Sequence, residues 1–250
     1  MDNWKKDMKT GLLVMLLMMA STLSVLALVW FAAGAGREED PVAVMSGIDM
    51  PSVAITFDDG PRRETTTLLL DGLAQRGVHA TFFVVGTRVE GQEDILLRME
   101  AEGHQIGIHS QNHKVLADLG AADLHEEIEV LSQTLDGVIG NHNYMLRPPY
   151  GLTSPHLLKW VKNPIILWSV DPEDWSDHNV ERQVAAVVNG VKDGDIILLH
   201  DIYYASVETA LQVVDELLKR GYRLVTVEEL FAIRGATPKA GCEYRSLPPN

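Results

Sequence analysis

The chain has 250 residues and a formal net charge of −14, with hydrophobic residues at 46% and charged residues at 22%. That balance suits a globular domain with a sizeable core and excludes a disordered chain. Residues 1–34 carry Lys5, Lys6 and Lys9 against Asp2 and Asp7, so the remainder stands at −15, a poor charge for nucleic acid or an anionic lipid surface and a better one for a neutral or cationic polymer.

From Gly11 to Gly36 the chain has no charge and almost no polar residue. About 20 apolar residues span a bilayer as a helix, and the preceding lysines predict the N-terminus in the cytoplasm and the rest outside. Residues 1–36 are therefore read as a transmembrane anchor or a signal segment. The length of the run favours an uncleaved anchor; cleavage after Ala33-Gly34-Ala35 would instead give a secreted protein. Residues 37–51 read as a linker, 52–234 as the main folded domain and 235–250 as a polar C-terminal tail.

Beyond the linker, apolar runs alternate with amphipathic stretches. Ser52–Phe57 reads as a strand stopped by Asp58-Asp59-Gly60-Pro61. Glu64–Arg76 has helical spacing, with Leu68, Leu69 and Leu73 expected on one side. Val78–Val85 is β-branched and aromatic, hence a strand. Glu93–Glu102 reads as a helix and Gln105–His109 as a strand. Ala121–Val138, with Leu124, Ile128, Leu131 and Leu135 in phase, is a clear amphipathic helix. There follow a short strand (Asn143–Arg147), a helix (Ser154–Val161), a strand (Pro164–Val170), a helix (Val180–Val191), a strand (Asp195–Leu199), a helix (Val207–Arg220) and a last strand (Tyr222–Val227). About seven strands interleaved with six helices imply a parallel sheet with right-handed crossovers. A distorted β/α barrel is the favoured architecture and a doubly wound open sheet the alternative.

Polar residues follow the apolar strands directly. Asp58 and Asp59 are adjacent carboxylates, which is costly unless a cation or a proton is shared; a solvated turn is the plain alternative. His109 and His113 stand four apart, a spacing that lets two imidazoles grip one ion. With Asp59 they would make a two-histidine, one-carboxylate set of the kind that leaves open positions for catalysis. Arg147-Pro148-Pro149-Tyr150-Gly151, Asp171-Pro172-Glu173-Asp174-Trp175 and Leu198-Leu199-His200 each end a strand, where β/α proteins collect their chemistry. Taken singly, each has a bland reading as a turn or a packed residue. The single cysteine, Cys242, excludes an internal disulfide and a thiolate-rich zinc site.

Five such segments in this order, over about residues 52–231, resemble the polysaccharide deacetylases of carbohydrate esterase family 4, the NodB homology domain. The segments are TFDDGP (Thr56–Pro61), HSQNH (His109–His113), RPPYG (Arg147–Gly151), DPEDW (Asp171–Trp175) and LLH (Leu198–His200). The resemblance implies Asp58 as general base and Asp59, His109 and His113 as ligands of one divalent metal, zinc first, with cobalt, manganese, iron or nickel suited to the same donors. It implies that Arg147 orients Asp58 and that His200 is the general acid, tuned by Asp174 or, second, Asp171. The backbone N–H of Tyr150 would meet the oxyanion, and Trp175 and Leu198 would line the acetyl pocket. Lys114 departs from the small residue or proline often found after the second histidine. The implied activity is removal of N-acetyl groups from an extracellular polysaccharide. Peptidoglycan leads because an enzyme tethered outside the cytoplasmic membrane meets it first; which amino sugar is attacked stays open. No protein partner is implied.

The expected topology is testable. Alkaline phosphatase fused after Asn250 should be active, as it is only outside the cytoplasm, and a reporter active only inside would refute the orientation. A mature protein beginning at Gly36 would show a cleaved signal in place of an anchor.

Overall fold

The computed structural model describes residues 50–249. The expected membrane segment and all but the last two residues of the linker lie outside the described residues. Among the described residues no helix is long and apolar enough to cross a membrane.

The elements run β1 (Ser52–Asp58), α1 (Arg63–Arg76), β2 (Thr81–Val84), α2 (Glu93–Ala101), β3 (Gln105–Ile108), α3 (Ala121–Ile139), α4 (Pro155–Trp160), β4 (Ile165–Ile166), α5 (Val180–Gly190), β5 (Ile196–His200), α6 (Tyr204–Lys219), β6 (Arg223–Val225), α7 (Val227–Ile233) and β7 (Glu243–Tyr244). The fold is α/β. β3, β2, β1 and β5 form a parallel sheet in that order, and β6 pairs with the N-terminal half of β1. β4 pairs with β7, and single parallel bridges join Ile108 to Leu146, Leu146 to Ile165 and Val170 to Ile197.

Two expected strands are thus much reduced. Asn143–Arg147 pairs only through Leu146, and Pro164–Val170 only at its two ends. A physical reason lies between them: the carbonyls of Ile166 and Leu167 accept hydrogen bonds from the Arg147 guanidinium at 3.0 and 3.1 Å. Those acceptors are engaged by a side chain where a ladder would use them.

Alternation along the strands builds two cores. Val53, Ile55 and Phe57 of β1, with Phe82, Val84, Ile108, Ile197 and Leu199, pack under the helices. Ala54, Phe83, Ile166, Ile196 and Val225 face the other way, against Phe231 of α7. On α1 the buried leucines are Leu69, Leu70 and Leu73, whereas Leu68, expected inside, is half exposed. The buried set falls at three- and four-residue steps with Thr66, which places Leu68 off that stripe.

The segment expected to trail off after residue 234 folds back onto the domain. Glu243 and Tyr244 form β7, the Leu247 amide donates to Gly194, and Tyr244 stands edge-on to Phe231 at 4.8 Å between ring centres. α7 also went unread from sequence, although Thr226 and Glu229 form a capping box at its start. Tyr244→Ala should lower stability by about 1–2 kcal/mol in urea unfolding; an unchanged midpoint would mean that the tail adds nothing to the fold.

Candidate active site

The sheet register brings the polar strand ends level. Asp58 at the end of β1 is the pairing partner of His200 at the end of β5. Asp58 is fixed by Arg147: Nη1 donates to Asp58 Oδ1 at 2.8 Å and to Thr56 Oγ1 at 2.7 Å. Arg147 is completely buried, with its guanidinium 4.2 Å from the centre of the Phe83 ring. With Oδ1 held, the other oxygen of Asp58 lies 3.7 Å from His109 Nε2.

Asp59, His109 and His113 converge as expected, each offering a ligand atom within 4.8 Å of the others. Asp59 Oδ1 is 3.1 Å from His113 Nε2 and 3.5 Å from His109 Nε2. Burial alone would raise the Asp59 pKa, but the hydrogen bond to His113 and the neighbouring histidines outweigh it and bring it down to about 2. Burial pushes the His109 ring toward the neutral form against the pull of Asp58 and Asp59. His109 Nδ1 sits 2.7 Å from the Arg147 carbonyl, a contact that requires the proton on Nδ1 and leaves the Nε2 lone pair facing Asp59. These features fit a cation. The donor set is two imidazoles and a carboxylate, one ring is held in a ligating tautomer, and Asp59 Oδ1 is buried facing the Nε2 atoms of both rings.

On the opposite side, His200 Nδ1 meets Asp174 Oδ1 at 2.8 Å while the His200 amide donates to Asp174 Oδ2 at 2.9 Å. Burial disfavours the charged ring, yet the bond and charge of Asp174, with Asp58 and Asp59 beyond, raise its pKa to about 9. Of the two carboxylates considered as its partner, Asp174 makes the contact. Asp171 instead accepts from the Glu173 amide. Leu198 is buried on β5, two residues before His200 and so on the same side of the strand. Trp175 and Tyr150 are exposed, and the Tyr150 ring stands edge-on to His113 at 4.9 Å.

Among the described residues, the non-glycine positions with left-handed backbone are Asp59, Ser110, His113, Tyr150 and Glu173. All five lie in the strand-end motifs. Strained backbone of this kind persists only where surrounding contacts hold it, and it gathers at functional sites.

The polysaccharide deacetylase family profile matches residues 48–163. A peptidoglycan-N-acetylglucosamine deacetylase of Bacillus cereus is 37% identical over 191 residues, covering 71% of this chain and 87% of the relative. The chain belongs to the polysaccharide deacetylase family. Within the family, the peptidoglycan-N-acetylmuramic acid deacetylase PdaC of Bacillus subtilis is 40% identical over 182 residues, 73% of this chain. The match spans only 39% of PdaC's length. The family 4 acetyl xylan esterase of Clostridium thermocellum, solved with a cobalt ion, superposes with a TM-score of 0.74 at 36% identity, covering 78% of this chain and 98% of that one.

Three supporting residues escaped the sequence reading. Thr56 lies inside the first motif and shares Arg147 with Asp58. Asp201, directly after His200, is buried and accepts from Thr66 Oγ1 at 2.5 Å. Glu127 lies on the apolar stripe of α3 between Leu124 and Ile128 and is fully buried. An acid in phase with a helix's leucines was the available signal for the last.

His200 holds its proton through neutral pH and loses it as pH rises through about 9. Its raised pKa contributes stability that is complete below the ordinary value near 6.5 and is lost as pH climbs through 9. Asp174→Asn should move the ring's titration, followed by NMR, down toward or below 6.5. A titration unmoved by that change would remove Asp174 from this role.

Proposed function

We propose that this chain hydrolyses N-acetyl groups on an extracellular polysaccharide, with peptidoglycan amino sugars as the first candidate, releasing acetate. The observation that carries the reading is the juxtaposition at one sheet edge of the Asp59–His109–His113 cluster, the Arg147-anchored Asp58 and the Asp174–His200 pair. The printed activities of the B. cereus and B. subtilis relatives support peptidoglycan as substrate. They name different amino sugars, so both sugars belong in the assay.

Asp59, His109 and His113 would hold a divalent cation, zinc first, with cobalt, manganese, iron and nickel suited to the same donors. When bound, such an ion supplies a Lewis acid for the acetyl carbonyl and for the attacking water. Asp58, its Oδ1 tied to Arg147, takes the water's proton on its other oxygen. The backbone N–H of Tyr150 donates to the developing oxyanion. His200, with Nδ1 bound to Asp174, delivers the proton on Nε2 to the departing amine; without it the adduct would revert to amide. Trp175 and Leu198 would flank the acetyl methyl group. In this reading the single bridges at Leu146, Ile165 and Val170 would serve to complete a distorted barrel around the buried Arg147. The uncharged run in residues 1–36 would keep the domain outside the cytoplasm, tethered to the membrane or released from it.

The test is acetate release from peptidoglycan, chitin oligomers and xylan with and without chelator. Chelation should abolish activity and zinc or cobalt should restore it. Asp59→Asn should lose metal and activity together. Asp58→Asn and His200→Ala should keep the metal and lose about 10²–10⁴ in rate. Full turnover in metal-free protein, or in all three variants, would overturn the assignment.

A further inference from the structure

The loop from His109 to His113 has an awkward backbone. Ser110 and His113 both have positive φ, at 67° and 55°, in a span that must present two imidazoles to one point. Neither residue is glycine, so the conformation costs energy and has to be held from outside.

One side is held by the segment after β2. The Gly86 amide donates to the Ser110 carbonyl at 3.1 Å and the Thr87 amide to the Gln111 carbonyl at 2.9 Å. A side chain at Gly86 would not fit, since an added Cβ would lie 2.0 Å from Gln111 Oε1 and 3.0 Å from the Gln111 Cα. The other side is held almost wholly by Glu127 of α3. Its backbone carbonyl accepts from the Gln111 amide at 2.8 Å. Its carboxylate accepts from the Asn112 amide at 2.8 Å and the Asn112 side-chain amide at 2.9 Å. The Lys114 ammonium closes the arrangement at 2.8 Å from Glu127 Oε1. Glu127 is 0% exposed, and a carboxylate so placed is tolerated only with several donors and a countercharge. The residues bound by this one side chain flank His113 directly.

We propose that Glu127, paired with Lys114, is a positioning residue that holds the strained His109–His113 loop so that both imidazoles meet Asp59 at one cation. It touches neither substrate nor cation and acts through Asn112 and the backbone on either side of His113. Lys114, which departs from the residue usual at that place, here acts as the countercharge of the clamp. This inference rests on the metal reading above and adds to it the device that shapes the site in the absence of an ion.

The test is zinc affinity of the metal-stripped full chain, measured by competition with a chromophoric chelator, beside the visible spectrum with cobalt and the melting temperature of the metal-free protein. Glu127→Gln keeps the size of the side chain but offers only one oxygen acceptor to donors that now bind two. It should weaken zinc binding about 10–100-fold, the usual consequence of losing a group that orients a ligand. The cobalt spectrum should change as well, because the geometry of the donors changes. Lys114→Met, at a half-exposed position, should show a smaller loss in the same direction. A purely structural role would lower the metal-free melting temperature while leaving, well below that temperature, the zinc affinity and the cobalt spectrum unchanged. That result in both variants would overturn the inference while leaving the metal reading intact. A native chain that binds neither zinc nor cobalt would overturn both.

Discussion

A guanidinium with no exposure to solvent is the constraint around which the rest of this molecule is arranged. Arg147 cannot shed its charge, so every N–H it buries needs an acceptor. Four of the five find one in Asp58, Thr56 and the carbonyls of Ile166 and Leu167, with the Phe83 face beneath. Meeting that requirement ties the end of β1 to the segment around β4. It also fixes one oxygen of Asp58, and through the Arg147 carbonyl it selects the His109 tautomer that leaves Nε2 free. The proposed base and one proposed ligand thus take their orientation from one residue. Removing a partner from such a buried pair costs far more than the pair gains, which ties site geometry to stability.

The two flanks of the site are biased in opposite electrostatic directions by neighbours only a few ångströms apart. Asp59 is held ionised by the hydrogen bond to His113 and the charge of His200, and the His109 ring is kept neutral by burial. His200 is kept charged by Asp174 in spite of burial. A carboxylate and an imidazole that stay available as electron-pair donors therefore face an imidazole that stays available as a proton donor. Environments that push the protonation states of neighbouring groups apart are what hydrolysis of an unactivated amide demands.

Strain marks the same places. Among the described residues the non-glycine left-handed positions all sit in strand-end motifs, while the strands themselves are regular and carry the cores. The regular sheet supplies rigidity, and the short loops beyond it supply geometry that standard elements do not reach. Glu127 shows how such a loop is supported from a neighbouring helix, by a carboxylate that departs from an otherwise apolar stripe.

Much was legible in the sequence because it is local. Strand and helix periodicity located β1, β2, β3, β5 and the long helices, and strand ends with Asp58-Asp59, His109, Arg147, Asp174 and His200 marked the sheet edge that carries the site. Hydrophobic alternation is enforced residue by residue, so it survives in one dimension. The family resemblance placed Asp174 ahead of Asp171 as the His200 partner, as the structure has it, but the residues alone do not separate the two, since both stand in one polar segment and only packing buries the first. The role of Glu127 was hidden for a related reason: its side-chain partners lie 13 to 15 residues back, and nothing in the local pattern says which loop a buried acid will meet. The reduced strands at Leu146 and Ile165 and the return of the tail as β7 belong with these. Backbone acceptors claimed by Arg147, and an apolar face at Phe231 left for Tyr244 to cover, exist only once distant segments have been brought together. The sequence by itself determined which chemical groups stand at the strand ends; the tertiary structure decided which of them share a proton, a charge or a site, because those pairings are contacts between segments far apart along the chain.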